Sequence, residues 1–375
     1  MQVSLESYDR IALICQGGGA LGAYQIGVYE ALIEKGIQPN FLVGISIGAF
    51  TAAIIAGNPE EKRLEKLRSF WDNISWPEMP KAPTIVDQMR TVHSKIASLQ
   101  GVLFGQPNFF VPRFPGPALQ PRGTAAATSY YDTSRLKTTL LSHIDFNLLN
   151  DKKHRLILGA TRVKDAQLVF FDNVNTKITP EHIMASGAMP PGFPAVRVDG
   201  DLYWDGGCVS NTPLESMFNL TPRKNTLSFV IELFNTQGSE PNDMDEVLSR
   251  SKDILYTSRT DHHLQHLKDK HRLMSDMNHM LDHVNPEFKK TPAFQRLKEQ
   301  NGSLLFDVVH LMYDVKKNEE RIKLYEFSKS SIKAREEQGY HDTLSALKHL
   351  NFDAEPPRKT QDFRHVKFLG GKVNV

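Results

Sequence analysis

Cysteine is almost missing from this chain: Cys15 lies in an apolar strand-like run and Cys208 in a glycine-rich turn, and there is no third. No disulfide framework is implied, and a reducing compartment is the simpler reading. An excess of charge of either sign is also missing. The 45 Lys and Arg nearly balance the 43 Asp and Glu, for a formal net charge of +2. A nucleic-acid partner ordinarily demands a clustered basic excess, so that class is set aside. No run approaches the roughly 18 consecutive apolar residues of a membrane span. The start, MQVSLESYDRIALIC, lacks the basic-then-apolar order of a secretory signal. A cytoplasmic protein without a cleaved targeting segment is expected, with recognition by a secretion system through other signals left open. At 375 residues and 40% hydrophobic, the chain can bury one large core, or one core with a substantial appendage.

Glycine, by contrast, is concentrated. The stretch CQGGGALGAYQIG sets Gly17, Gly18, Gly19 and Gly22 just after RIALIC, a short apolar run of the kind that forms a buried parallel strand. The spacing G-x-G-x-x-G suits a dinucleotide's pyrophosphate at a helix start. Such a site also needs an acidic residue about 20 positions on, at the end of the second strand. That strand is NFLVGIS, which supplies none.

It runs instead into Gly44-Ile45-Ser46-Ile47-Gly48, followed by the helical pattern IGAFTAAIIAG. A G-x-S-x-G at a strand-to-helix junction is the context of a nucleophile elbow, in which a sharp turn projects a serine hydroxyl above the sheet. Gly44 and Gly48 leave room for neighbouring backbone. In a parallel sheet two adjacent strand-to-helix loops end on the same edge, which predicts that the Gly17, Gly18 and Gly19 amides lie near Ser46, aimed at an oxyanion.

Serine needs a base. His143, His154 and His182 follow Ser46 in the chain, but none sits in a recognisable active-site loop. In YWDGGCVSNTP, Asp205 ends a strand-like run and precedes Gly206 and Gly207, so its carboxylate stands in a tight turn able to approach Ser46 directly. A turn in which the aspartate bonds only its own backbone remains the alternative. A carboxylate base calls for desolvation that raises its proton affinity.

Together, GGGALG, GISIG and DGG, with ASGAMPPGFPAV (Ala185 to Val196), resemble the patatin-like phospholipase family over residues 10 to 235. The resemblance implies Ser46 as nucleophile, Asp205 as base, and Gly17, Gly18 and Gly19 as oxyanion hole. It implies acyl-ester hydrolysis without metal or cofactor. The implied fold is α/β, a three-layer α/β/α sandwich with a mostly parallel sheet and a C-terminal helical extension. Leu21 departs from the Arg or Lys that the family loop often carries, which removes a contact to a substrate phosphate.

The expected organisation is a core over residues 1–235 and a mainly helical extension over 236–375 packed on it. Helix is expected from Met244 to Leu281 and again from about Phe306 to Gly339, and the tail after Asn351 is read as a surface segment. His262 with His266, and His279 with His283, stand at i, i+4 spacing but without the Glu of H-E-x-x-H, so a solvated or interface helix is expected and no metal. An insertion at about 85–130 is rich in Pro and Phe. Phe109, Phe110 and Phe114 there belong either to a loop packed on its own domain or to a lid or lip over an apolar-substrate pocket. The expected substrate is a lipid ester, with transient membrane contact. Esterase action on short-chain or hydroxyalkanoate esters and a non-catalytic scaffold remain alternatives, and oligomeric state is not legible.

Overall fold

The computed structural model describes residues 5–76, 101, 103–218, 220, 223–238, 240–257, 259–300, 305–315, 323–350 and 363–374. Much of the expected insertion (85–100) and the start of the tail (351–362) lie outside them.

The chain opens β1 (Arg10–Cys15), α1 (Tyr24–Glu34), β2 (Phe41–Ile45), α2 (Ile47–Ala56) and α3 (Arg63–Ile74). Two short strands, β3 (Val111–Pro112) and β4 (Tyr131–Asp132), pair with each other, and α4 (Ser134–His143) follows. Next come β5 (Arg155–Arg162), β6 (Leu168–Asp172), α5 (Pro180–Ser186), β7 (Val196–Val198), β8 (Asp201–Asp205) and β9 (Thr226–Glu232). The C-terminal region contributes α6 (Met244–Thr257), α7 (Thr260–Asp282), β10 (Phe306–Met312), α8 (Lys329–His349), β11 (Phe363–Leu369) and β12 (Lys372–Asn374).

One ten-stranded sheet runs β12-β11-β10-β9-β1-β2-β5-β8-β7, with β6 paired to β5. The six strands from β11 to β5 are parallel, and the rest are antiparallel additions. β1, β2 and β9 are buried along their whole length, which is why they read as unbroken apolar runs rather than alternating ones. Successive side chains still divide between two faces. Ile11, Leu13, Leu42, Leu156, Phe229 and Leu311 join the core built with α1, α2, α3 and α8. Ala12, Ile14, Phe41, Val43, Val230 and Val308 join a second core with Leu264 and Leu267 of α7 and Leu214 and Met217. The architecture is a three-layer α/β/α sandwich with a largely helical C-terminal region.

Two expectations are corrected. The stretch beginning at Phe306 is not helix but β10, parallel to β9 with Phe306 opposite Thr226. FDVVHLM is buried from Asp307 to Met312, and β-branched residues buried on both faces favour a central strand. The tail is not merely a surface segment either, since β11 and β12 extend the sheet beyond β10.

Candidate active site

Strand pairing brings the serine and the aspartate together. β5 carries β6 along one edge, where Gly159 faces Phe170 and Ala160 faces Val169. On its other edge Gly159 pairs with Ile45 of β2, and the next residue, Ala160, pairs with Asp205 of β8. β2 and β8 therefore meet nearly end to end along a single strand. Ser46, which leaves β2 at that point, stands beside Asp205.

Ser46 has φ 55° and ψ −131°, outside the regions a non-glycine residue prefers, and caps the start of α2. Such a residue costs of order 1–3 kcal/mol and persists only where its surroundings over-determine it. Here Gly44 and Gly48 pack so closely that a Cβ on the former would strike the Gly48 carbonyl, and one on the latter the Cys15 carbonyl. The Ser46 amide is held at 3.1 Å by both the backbone oxygen and Oγ of Ser186. Ser186 Oγ in turn donates to Gly159 O at 2.6 Å.

Asp205 is fully buried. Its Oδ1 accepts the Gly207 amide at 2.7 Å, its own amide donates to Ala188 O at 3.0 Å, and its carbonyl accepts Thr161 Oγ1 at 2.9 Å. Burial pushes the carboxyl up to about 7, against opposing contributions from the Ser46 hydroxyl and the Gly207 amide. No hydrogen bond of ordinary geometry joins Oδ2 to Ser46. Gly206 packs against the Gly159 carbonyl, where a Cβ would sit at 2.7 Å. The turn thus satisfies its own backbone while still presenting the acid to Ser46, so the two readings of DGG are compatible.

The glycine loop lies against the same spot: a Cβ on Gly17 would come within 2.8 Å of Ser46 Cβ and 2.5 Å of Asn211 Oδ1. Asn211 straps this loop to the aspartate turn. Its Nδ2 donates to Gly17 O at 2.9 Å, and its carbonyl takes the Gly17 amide at 3.4 Å. The amides of Gly18 and Gly19 donate to nothing among the described residues. Leu21 is fully buried in the core, so its position offers nothing to a bound headgroup.

Sequence reasoning did not single out Ser186, Asn211 or Gln16. Gln16 is buried and spans three segments, donating to Thr212 Oγ1 at 2.9 Å and Tyr256 O at 3.1 Å while accepting the Leu233 amide at 2.6 Å. Only the polar character of QGGG and VSNT inside apolar surroundings hints at these roles. The histidines are engaged elsewhere: His143 with Thr139 O at 2.8 Å, His154 with Arg63 at 2.6 Å, and His182 in the capping box of α5. His263 faces Glu215 at 3.5 Å and the ring of Phe218. Among the described residues no three His, Cys, Asp or Glu are grouped to hold a metal. Phe109 and Phe110 are buried in an aromatic cluster with Phe50, Phe193 and Tyr131, whereas Phe114 is 99% exposed.

The chain is similar to several known proteins. A plant relative, triacylglycerol lipase SDP1L of Arabidopsis thaliana, is 32% identical over 76 residues, 20% of this chain and 9% of its own length. Patatin-like phospholipase domain-containing protein 7 of Rattus norvegicus is 45% identical over 60 residues, 16% of this chain and 4% of its own. The chain thus spans less than a tenth of these curated relatives. Among solved structures, VipD from Legionella pneumophila aligns over 91% of this chain and 67% of its own at 15% identity, with a TM-score of 0.38. A sequence model described as patatin phospholipase matches residues 254–359. Another, described as patatin-like phospholipase, matches residues 13–218, more than half of the chain and the whole span from glycine loop to aspartate turn, and the chain belongs to that family.

Proposed function

We propose that this protein is a serine acyl hydrolase that cleaves lipid ester bonds, with Ser46 as nucleophile and Asp205 as general base. The observation that carries the reading is the strand pairing that sets a fully buried carboxyl beside a serine held at φ 55°, with Ile45 opposite Gly159 and Asp205 opposite Ala160. In the cycle Asp205 takes the Ser46 proton as Oγ attacks the ester carbonyl. The amides of Gly18 and Gly19 receive the oxyanion, and Gly17, whose amide already bonds Asn211, shapes the loop. The start of α2 adds favourable potential for negative charge. Asp205 then passes the proton to the leaving alcohol; water, deprotonated by Asp205, attacks the acyl-serine, and Asp205 returns that proton to Ser46 Oγ as the acid departs. Each oxyanion donor in such a hole is worth about 2.7–4 kcal/mol.

Phospholipid and acylglycerol are both within this reading. Burial of Leu21 favours a second one, in which the ester carries no phosphate, as in an acylglycerol or hydroxyalkanoate. Turnover of p-nitrophenyl esters, phospholipid and triacylglycerol by wild type, Ser46→Ala and Asp205→Asn tests both. We expect losses of at least about 10³-fold in each variant, since paired groups of this kind act as a unit. Retained turnover in either variant overturns the dyad.

A further inference from the structure

α6 is a surface helix turned inside out. Among the residues of α6 whose exposure is described, the exposed positions are Met244, Val247, Leu248, Ser251, Ile254 and Leu255, five of them apolar and none charged. At 3.6 residues per turn they form one continuous stripe. The apolar members are between 43% and 69% exposed. Arg250, Asp253 and Glu246 lie on the other side of the helix and are engaged. Arg250 donates to Asn235 O at 3.0 Å and Thr236 O at 2.6 Å, Asp253 meets the buried Lys323 at 2.5 Å, and Glu246 accepts the Asn242 amide at 2.7 Å. A surface helix ordinarily does the reverse, because exposed apolar area is unfavourable in water.

We propose that this stripe docks the protein on a lipid surface and presents the ester to Ser46, an inference that rests on the acyl-hydrolase reading above. Three observations select lipid as the occupant. First, α6 reaches the site: Tyr256 O accepts Gln16 of the glycine loop at 3.1 Å, and burial, with a smaller contribution from the Asp205 charge, raises the Tyr256 phenol. Second, the 14 residues of α6 make a helix about 21 Å long, whose stripe of ~10 Å width covers on the order of 200 Å². A stable protein partner takes about 800 Å² from each side. An amphipathic helix lying in a headgroup layer needs no more than such a stripe. Third, the border of the stripe is cationic and aromatic. Lys252 stands 4.9 Å from the centre of the half-exposed Tyr325 ring and 3.3 Å from its hydroxyl, and Arg259 is exposed just past the helix. Lys, Arg and Tyr suit the boundary between acyl chain and phosphate.

The test uses the full chain in two backgrounds. In Ser46→Ala, which leaves vesicles intact, co-sedimentation with phosphatidylcholine vesicles is compared with and without Leu248→Asp and Leu255→Asp together. We expect the pair to reduce sedimentation by at least about tenfold. In the wild-type background the same pair should abolish turnover of vesicle lipid but hold p-nitrophenyl butyrate turnover within about twofold, because exposed substitutions far from the chemistry are usually mild. Leu248→Trp should keep sedimentation and show a vesicle-induced blue shift of its emission. Undiminished sedimentation of the double variant, no sedimentation of its parent, or a dimer by light scattering that the pair converts to monomer would each overturn the docking face. Failure of the wild type to turn over any ester would instead remove the hydrolase reading, and sedimentation would still decide the face.

Discussion

At the level of single residues, the burial of Asp205 couples chemistry to stability. As the proposed base it must be ionised, so kcat/KM for a soluble ester should rise with pH through about 7 and level off above it. The folded carboxyl binds its proton more tightly than the unfolded one, which titrates near 3.8. Below that pH both states are neutral and burial carries no ionic cost. Between about 3.8 and 7 only the unfolded chain gives up the proton, so stability falls across that window and levels off once the folded carboxyl ionises as well. Asp205→Asn keeps the shape without the charge. It should therefore stabilise the fold by on the order of 2–4 kcal/mol at pH 8 and by little at pH 4, measured by denaturant unfolding at both. An equal effect at the two pH values would contradict the raised proton affinity. Ser46 and Asp205 could be singled out as candidates because a short motif surrounds each. Ser186 and Asn211 were not, because their partners, Ser46 and Gly17, stand 140 and 194 positions away in the chain. No local pattern records such a contact.

At the level of elements, the β-loop-α opening could be read because burial on both faces leaves unbroken apolar strands. The stretch from Phe306 misled for the same reason, since a short apolar run fits buried helix or buried strand, and only pairing with β9 decides between them. The packing of α1 on α8 was equally invisible. A Cβ on Gly27 would run into the Glu336 carbonyl, and one on Gly339 into the Tyr24 carbonyl, so the two backbones meet with no side chain between them. Tyr24 also bonds Asp342 of α8 at 3.1 Å. Gly339→Val should cost on the order of 3 kcal/mol by forcing the helices apart. The same change at the exposed neighbour, Glu337→Val, should cost less than about 1 kcal/mol. Similar denaturation midpoints for the two variants would refute the close approach.

At the level of the whole molecule, residues beyond 235 do more than cover a finished core. They add β10, β11 and β12 to the sheet, and α7 supplies Leu264 and Leu267 to the second core. They also grip the glycine loop, where Leu324 O accepts the Ala20 amide at 3.0 Å and Arg335 donates to Ala20 O at 3.1 Å. The positioning of the loop near Ser46 is thus a property of the entire chain. On the proposed reading, this assembly activates one hydroxyl through one carboxyl. Covalent labelling by a fluorophosphonate, followed by peptide mass mapping and rate measurement, tests that most directly. A single adduct on Ser46 is expected, forming at least about 10²-fold more slowly in Asp205→Asn. An adduct on another residue, or an undiminished rate in Asp205→Asn, would contradict that reading.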